Sequence, residues 1–207
     1  MDNKKIFFEV LKEDFIPRLK EIGFEGSGQN IRRVKGEIIN TINIQVNKYG
    51  GSCAVNLGLH LSFLPLNWSE SLPEIDKIKE IDCEFSKRLA PENKSDYWWQ
   101  YDNLSDSPSQ RAQHLIETYF NYGEPHFQEY DTVEKIGAMV SVEEMKKSES
   151  LDIFGGVNQE RGPLTMARIH QHLGNSSKAK AFATFGLENL NGAIILKPEY
   201  EKILSAT

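Results

Sequence analysis

The sequence predicts an α+β protein: an antiparallel sheet of four or five strands with flanking helices, followed by a C-terminal helical hairpin. Apolar residues recur every three or four positions over residues 4–22 and every second position over residues 38–63. Helical spacing returns over residues 112–120 and 164–190. Because a period of two is typical of strands and a period near 3.6 of amphipathic helices, we expect a sheet domain, residues 1–150, and a helical extension, residues 151–207.

The N-terminal segment predicts a helix with one apolar stripe. The stripe ends at Gly23, a common helix-stopping residue, and consists of Phe7, Leu11, Phe15, Leu19 and Ile22. Pro17 interrupts the pattern, because proline lacks the N–H that a helix interior requires. We therefore expect a kink or a break near residues 13–16.

The clearest local pattern predicts a β-hairpin. Residues 38–46 and 53–63 each alternate apolar and polar side chains, and the intervening NKYGGS supplies the Gly-Gly of a turn. Residues 29–35 predict an additional edge strand, whose Arg32, Arg33 and Lys35 would discourage association between sheet edges. Residues 81–86 and the segment YWWQY, residues 97–101, predict two further strands with the same apolar side.

The second half of the chain predicts helices. We expect a helix that starts at SDSPSQ and ends at Gly123 and Pro125. The pairs Asp131–Glu134 and Ser141–Glu144 are spaced like capping boxes, which predicts two further short helices. FGGVNQERGP, residues 154–163, is the predicted linker. Beyond it we expect two helices joined at residues 174–176, which resemble one tetratricopeptide hairpin and dock on the sheet domain, and then a last short helix.

Composition and charge narrow the class of protein. No apolar run approaches the roughly 20 residues of a membrane-spanning helix, and acids lie among the first apolar residues, so we expect a cytoplasmic protein without a membrane partner. The net charge is −6, and residues 151–207 carry five acids and six Lys or Arg, which leaves −7 on residues 1–150. The negative charge of residues 1–150 argues against a nucleic-acid partner and suits a basic protein partner. A requirement for solubility alone would also explain this charge.

Sequence motifs for catalysis or cofactors are missing. The five histidines and two cysteines have no zinc spacing, no serine lies in GxSxG, and the glycine-rich segment lacks the endings of nucleotide-binding loops. We therefore predict no metal, no cofactor and no catalytic residue, with an enzyme less expected than a binding protein. Because catalytic triads are formed by residues that are distant in sequence, the hypothesis of an enzyme stays open.

The polar side of the predicted sheet is the candidate binding surface. Successive strand residues point to opposite faces, so the polar members of the hairpin should emerge together, and one of the two adjacent tryptophans must join them. The candidate residues are Asn43, Gln45, Asn56, His60, Glu84, Arg88, Trp98 and Trp99. A structural alternative is that helices cover the amides and the tryptophan, and that His60 is a hydrogen-bonded interior residue.

Several short segments occur in the order seen in one bacterial family. GFEGSGQNIRR, INIQ, VNLGL, CEFSKRL, YWWQY and YGEPHFQ make residues 5–130 resemble the family of domain of unknown function 4304. The resemblance implies an α+β domain with an antiparallel sheet, and it makes the amides and the tryptophan pair family features. Phe85 stands where a family histidine is expected, which argues against a shared acid–base residue there. The family has no agreed activity.

Two functional hypotheses follow from these residues. The first is a non-enzymatic binding protein, in its sharpest form a bacterial immunity-type protein that masks a basic toxin and buries an aromatic anchor such as Trp98. The second is a small-molecule-binding protein or enzyme that uses His60 as a base, Arg88 as an anion clamp and a tryptophan as a stacking wall. The helical extension could also recruit a partner by itself.

Overall fold

The computed structural model describes residues 2–66, 69–102, 105–147 and 161–206. The strands are β1 Glu25–Ser27, β2 Asn30–Lys35, β3 Ile38–Val46, β4 Ser52–Leu61, β5 Phe85–Arg88 and β6 Trp99–Gln100. The helices are α1 Asn3–Val10, α2 Ile16–Glu21, α3 Pro108–Thr118, α4 Glu124–Glu129, α5 Val133–Gly137, α6 Val142–Lys146, α7 Gly162–His172, α8 Ser176–Glu188 and α9 Lys197–Ala206. None of these helices is long and apolar enough to cross a bilayer.

The sheet is antiparallel, which confirms the predicted α+β class. Its order is β1-β2-β3-β4-β5, and β6 pairs with β4 beside β5. The register sets Ile44 opposite Val55 and Cys53 opposite Trp99, so the apolar sides of these strands face the same way. Leu59 opposite Phe85 extends this face onto β5. The single apolar face on which the predicted binding surface depends is therefore present.

Two hydrophobic clusters share this apolar face. The first joins β2, β3, β4 and β6 to α1, α2, α3 and α4, with Phe7, Phe15 and Trp99 at its centre. The second joins Leu59, Leu61 and Phe85 to α5 through α9. Because the helical extension shares a core with the strands, it docks on the sheet domain as the sequence analysis expected.

Both helical irregularities follow from prolines. A π-helical turn, Leu11–Phe15, lies two residues before Pro17, and a second, Tyr119–Gly123, lies two residues before Pro125. Proline cannot donate to the carbonyl four residues earlier and its ring crowds that carbonyl, so the helix widens by one residue. The irregularity near Pro17 was predicted. The predicted end at Gly123 and Pro125 is wrong, because the helix continues as α4.

Three local predictions are corrected. Residues 80–82 form a 3₁₀ turn, and Ile81 is 74% exposed, because the chain joins the sheet only at Phe85. Arg33 is buried and therefore does not protect a sheet edge, and the short strand β1 pairs with β2 over residues 30–32. Thr132, rather than Asp131, caps α5. The predicted linker falls mostly on residues 154–160, outside the described ranges.

Gly58 is expected to be intolerant of a side chain. A Cβ there would collide with Oγ1 of Thr41 and lie 2.8 Å from Sγ of Cys83 and 3.1 Å from Cα of Glu80. We expect Gly58→Ala to lower the free energy of unfolding by about 1–3 kcal/mol, the usual cost of overpacking. Urea unfolding measures this change. Adding Thr41→Ala should recover part of the loss, and full stability of Gly58→Ala alone would contradict the assigned contacts.

Candidate functional site

The sheet face opposite the apolar core has a covered part and an open part. The β4–β5 connection, described over residues 62–66 and 69–84, lies across one end and packs Ile78, Cys83 and Leu66 on Ile39. Amides of β3 and β4 occupy the other end, where Gln45 is exposed. The candidate residues are thus divided between two environments.

Amide side chains form a hydrogen-bonded row across the open part. Nδ2 of Asn43 donates to Oδ1 of Asn30 (2.9 Å), and Nδ2 of Asn56 donates to Oδ1 of Asn43 (3.3 Å) and Oε1 of Gln45 (3.1 Å). The row follows the register, which pairs Asn30 with Asn43 and Asn43 with Asn56. We call Asn30, Asn43, Asn56 and Gln45 the amide ladder. Its orientation is fixed by bonds to neighbouring strands.

Arg88 and Trp98 extend the amide ladder towards the edge of the sheet. Arg88 lies opposite Asn56 and donates to Oε1 of Gln45 (3.1 Å). Its Nε lies 3.0 Å from Oδ1 of Asp96, and its guanidinium carbon lies 5.3 Å from the ring centre of Trp98. Arg88 therefore already has an acidic partner. It ties the chain segment that separates β5 from β6 to the sheet.

The adjacent tryptophans lie on opposite sides, as strand alternation requires. Trp99 is fully buried in the first cluster, where Nε1 donates to Nδ1 of His114 (3.0 Å). Trp98 is only partly buried and lies beside Arg88 on the polar side. Of the two candidate tryptophans, Trp98 alone is positioned to contact a partner.

His60 lies beneath the β4–β5 connection and does not line an open site. Its Nδ1 accepts from the Glu84 amide (3.2 Å) and its Nε2 donates to the carbonyl of Leu64 (3.1 Å). Burial lowers the pKa of His60, so the ring is neutral at pH 7. Both nitrogens are engaged, which matches the structural alternative for this residue.

Glu84 anchors the helical extension. Its Oε1 accepts from Nε of Arg161 (2.8 Å) and its Oε2 accepts from Oγ1 of Thr165 (2.8 Å). Arg161 also donates to the carbonyl of Leu66 (2.9 Å). Glu84 is 8% exposed and Arg161 is 5% exposed. These bonds join the β4–β5 connection to the start of α7, so Glu84 holds protein groups rather than a ligand.

The proposed pairing of His60 with Arg88 has no geometric support. Arg88 pairs with Asn56, and His60 lies four residues further along β4, about 13 Å away at the usual rise of a strand. The groove that reaches Arg88 is not lined by His60. A general base must come within about 3 Å of its proton, directly or through one water, so these two residues do not form one catalytic site.

A groove of about 820 Å³ runs beside β5. It is bordered by β5, by residues 89–95 and by residues 121–129, and it includes Lys87, Arg88, Lys94, Tyr122 and His126. Neither Lys87 nor His126 is among the binding residues predicted from the sequence. The sequence feature that could have indicated His126 is its place in the family-like segment YGEPHFQ. Lys87 has no such feature, because its position is typical of a solvent-exposed lysine.

The described residues offer little for metal or nucleophilic chemistry. They contain no group of three His, Cys, Asp or Glu side chains that could hold a metal ion. Both cysteines are buried and free, and burial raises the pKa of Cys53 to about 12. A thiol with that pKa stays protonated at pH 7 and is a poor nucleophile.

The fold and this surface define an α+β protein with one exposed, hydrogen-bonded polar patch on an antiparallel sheet. The chain belongs to the family described as domain of unknown function (DUF4304), whose model matches residues 15–129. The match contains β1 to β6 and ends at the end of α4, so α5 to α9 lie beyond it. Searches of curated proteins and of solved structures found no match.

Proposed function

We propose that this protein is a non-enzymatic binding protein that recognises a basic protein partner through the amide ladder and Trp98. In its sharpest form it is a bacterial immunity-type protein that masks a basic toxin in the cytoplasm. The observation that carries the proposal is the convergence of Asn43, Gln45, Asn56, Arg88 and Trp98 on one open face.

The surface is pre-organised for recognition. Cross-strand hydrogen bonds hold the amides, and Asp96 and Gln45 hold Arg88. Side chains that are already ordered lose little entropy on binding, which favours affinity. The partly buried Trp98 supplies the large aromatic contact that is typical of interface hot spots.

Charge favours a basic partner. Residues 1–150 carry a formal charge of −7, whereas Arg88 within the patch is paired with Asp96. An acidic body attracts a basic protein over distances near the Debye length, which is about 8 Å at physiological salt, and so raises the association rate. We therefore expect association to slow as salt is raised.

Trp98→Ala should weaken partner binding by about 30-fold or more while leaving the fold intact. The reason is that truncating an aromatic hot spot costs about 2 kcal/mol or more of binding free energy, whereas Trp98 is only partly buried in the free protein. The measurement is affinity capture of the full chain's partner from its native host, followed by titration of the purified partner. The product of the reading frame directly upstream is the first partner to test.

Tyr49→Ala is the matched control, because Tyr49 is an aromatic residue that is 85% exposed at the β3–β4 turn. This variant should bind as the wild type does. Equal binding by Trp98→Ala, with its fold verified by circular dichroism, would refute the proposed surface. An acidic partner, or binding that does not depend on salt, would refute the electrostatic part.

A further inference from the structure

A small apolar recess lies where the two hydrophobic clusters meet. It encloses about 150 Å³ between β4, β5 and α4. Leu57 and Phe127 belong to the first cluster, whereas Leu59 and Phe85 belong to the second, and Tyr130 and Met139 complete the lining. The recess is therefore an unfilled space in the seam between the clusters.

The recess opens into the groove beside β5. Lys87, His126, Leu57, Ser86 and Glu129 line both, so they form its mouth. An apolar interior with a polar mouth is the usual arrangement of a small-molecule site. An apolar space of about 150 Å³ accommodates a group of the size of benzene.

Two polar groups at the mouth have no partner within the described part of the protein. Lys87 is exposed, and none of the ion pairs or hydrogen bonds of the described residues involves its ammonium group. The ring of His126 packs edge-on against Tyr130, with 5.3 Å between ring centres, and makes no hydrogen bond with a described residue. Burial and, as the smaller cause, the charge of Lys87 together lower the pKa of His126 to about 4.

The other charged groups around the mouth are accounted for. Glu129 lies near the Tyr130 hydroxyl, whose pKa is raised by burial and then by this carboxylate, and Arg88 is held by Asp96. Glu92 and Lys94, of opposite sign, border the outer groove. Lys87 is thus the cation that lines the recess together with His126, and it has no ion pair within the described residues.

We propose that the recess, with Lys87 and His126 at its mouth, is a binding site for a small amphipathic monocarboxylic acid. The apolar part of the acid, of the size of a phenyl ring or a short alkyl chain, occupies the recess. Its carboxylate accepts hydrogen bonds from Lys87 and His126. Because the mouth offers one cation and one imidazole, it suits a ligand with a single negative charge better than it suits a dianionic phosphate. This site is separate from the amide ladder and does not depend on the proposed function.

The first test follows the histidine that faces the recess. Phenylacetate and hexanoate are titrated into the full chain while the His126 ring is observed by NMR, with His126→Gln used to assign its signal. A carboxylate within about 4–6 Å favours the protonated imidazole, so the pKa of His126 should rise by roughly one pH unit or more. Phenylacetamide, the neutral analogue, should leave it near 4.

Two variants separate the polar and apolar halves of the site. Lys87→Gln changes an exposed residue and should weaken phenylacetate binding about 10-fold, with phenylacetamide binding unchanged. Lys5→Gln, on α1, is the control and should have no effect. Met139→Phe fills the recess and should abolish binding of both compounds, with its melting temperature verifying the fold.

Three results would overturn the proposal. They are saturable binding of neither acid, binding of phenylethylamine in preference to phenylacetate, and equal loss of phenylacetate affinity in Lys87→Gln and Lys5→Gln. Because none of these measurements involves Trp98 or a protein partner, failure here leaves the proposed protein-binding surface intact. Loss of partner binding in Trp98→Ala would likewise not count for or against this site.

Discussion

Glu124→Gln should lower the free energy of unfolding by about 3–5 kcal/mol, because it removes the counter-charge of a buried arginine. Nη1 of Arg33 donates to Oε1 of Glu124 (2.8 Å), and Arg33 is 3% exposed. Oε2 of Glu124 accepts from the hydroxyl of Tyr119 (2.9 Å), which lies in the core. Equilibrium unfolding in urea measures the loss.

Asp14→Asn is the matched control, since Asp14 pairs with Arg18 at 3.9 Å and accepts from Nε2 of Gln113 (3.0 Å) near the protein surface. Surface pairs contribute about 0–1 kcal/mol, so this variant should be nearly neutral. A loss below about 1 kcal/mol for Glu124→Gln would show that Arg33 finds other compensation. Replacing Arg33 and Glu124 together with apolar residues of similar size should restore much of the loss.

The Arg33–Glu124 pair occupies the core side of the sheet. Nε and Nη2 of Arg33 both donate to Oδ1 of Asn40, at 3.2 and 3.0 Å. Asn40 lies on β3 between Ile38 of the second cluster and Ile42 of the first. Polar residues thus interrupt the apolar face where the clusters meet, and the recess beside β5 lies along the same division.

The hairpin could be predicted from sequence because its signal is local. Alternation over residues 38–46 and 53–61 fixes which side chains face the core, and the Gly-Gly turn fixes the pairing. The same rule placed Asn43, Asn56 and Gln45 together and one tryptophan outside. Arg33 was within reach of this rule, since it shares the parity of the buried Ile31, but its charge suggested a solvent-facing position.

Other features could not be predicted because they depend on distant segments. Arg33 and Glu124 are separated by 91 residues, and Glu84 and Arg161 by 77. His60 lies on the same side of β4 as Gly58, so the sequence predicted it on the polar surface. The β4–β5 connection covers it instead. Lys87 and His126 meet only when α4 packs beside β5. The local pattern of apolar and polar residues carries no signal for contacts between segments so far apart in the chain.

Glu84→Gln should destabilise the protein by about 3–5 kcal/mol and should loosen the helical extension first. The substitution leaves Arg161 buried without its principal counter-charge and weakens the bond to Thr165. Hydrogen exchange should therefore accelerate in α7 before it does in β3 and β4, whose ladder does not depend on Glu84. Urea unfolding gives the total loss, and exchange measured by mass spectrometry locates it.

Glu70→Gln provides the comparison, since Glu70 contacts the same Arg161 at 3.6 Å, and Arg168 at 2.6 Å, but has a half-exposed side chain. It should cost no more than about 1 kcal/mol. Thr165→Val should cost about 1 kcal/mol, because it removes one hydrogen bond to the carboxylate. These three variants decide whether Glu84 is structural or part of the binding surface. If Glu84→Gln kept full stability but lost the protein partner, Glu84 would return to the binding surface, and the helical extension would need another anchor.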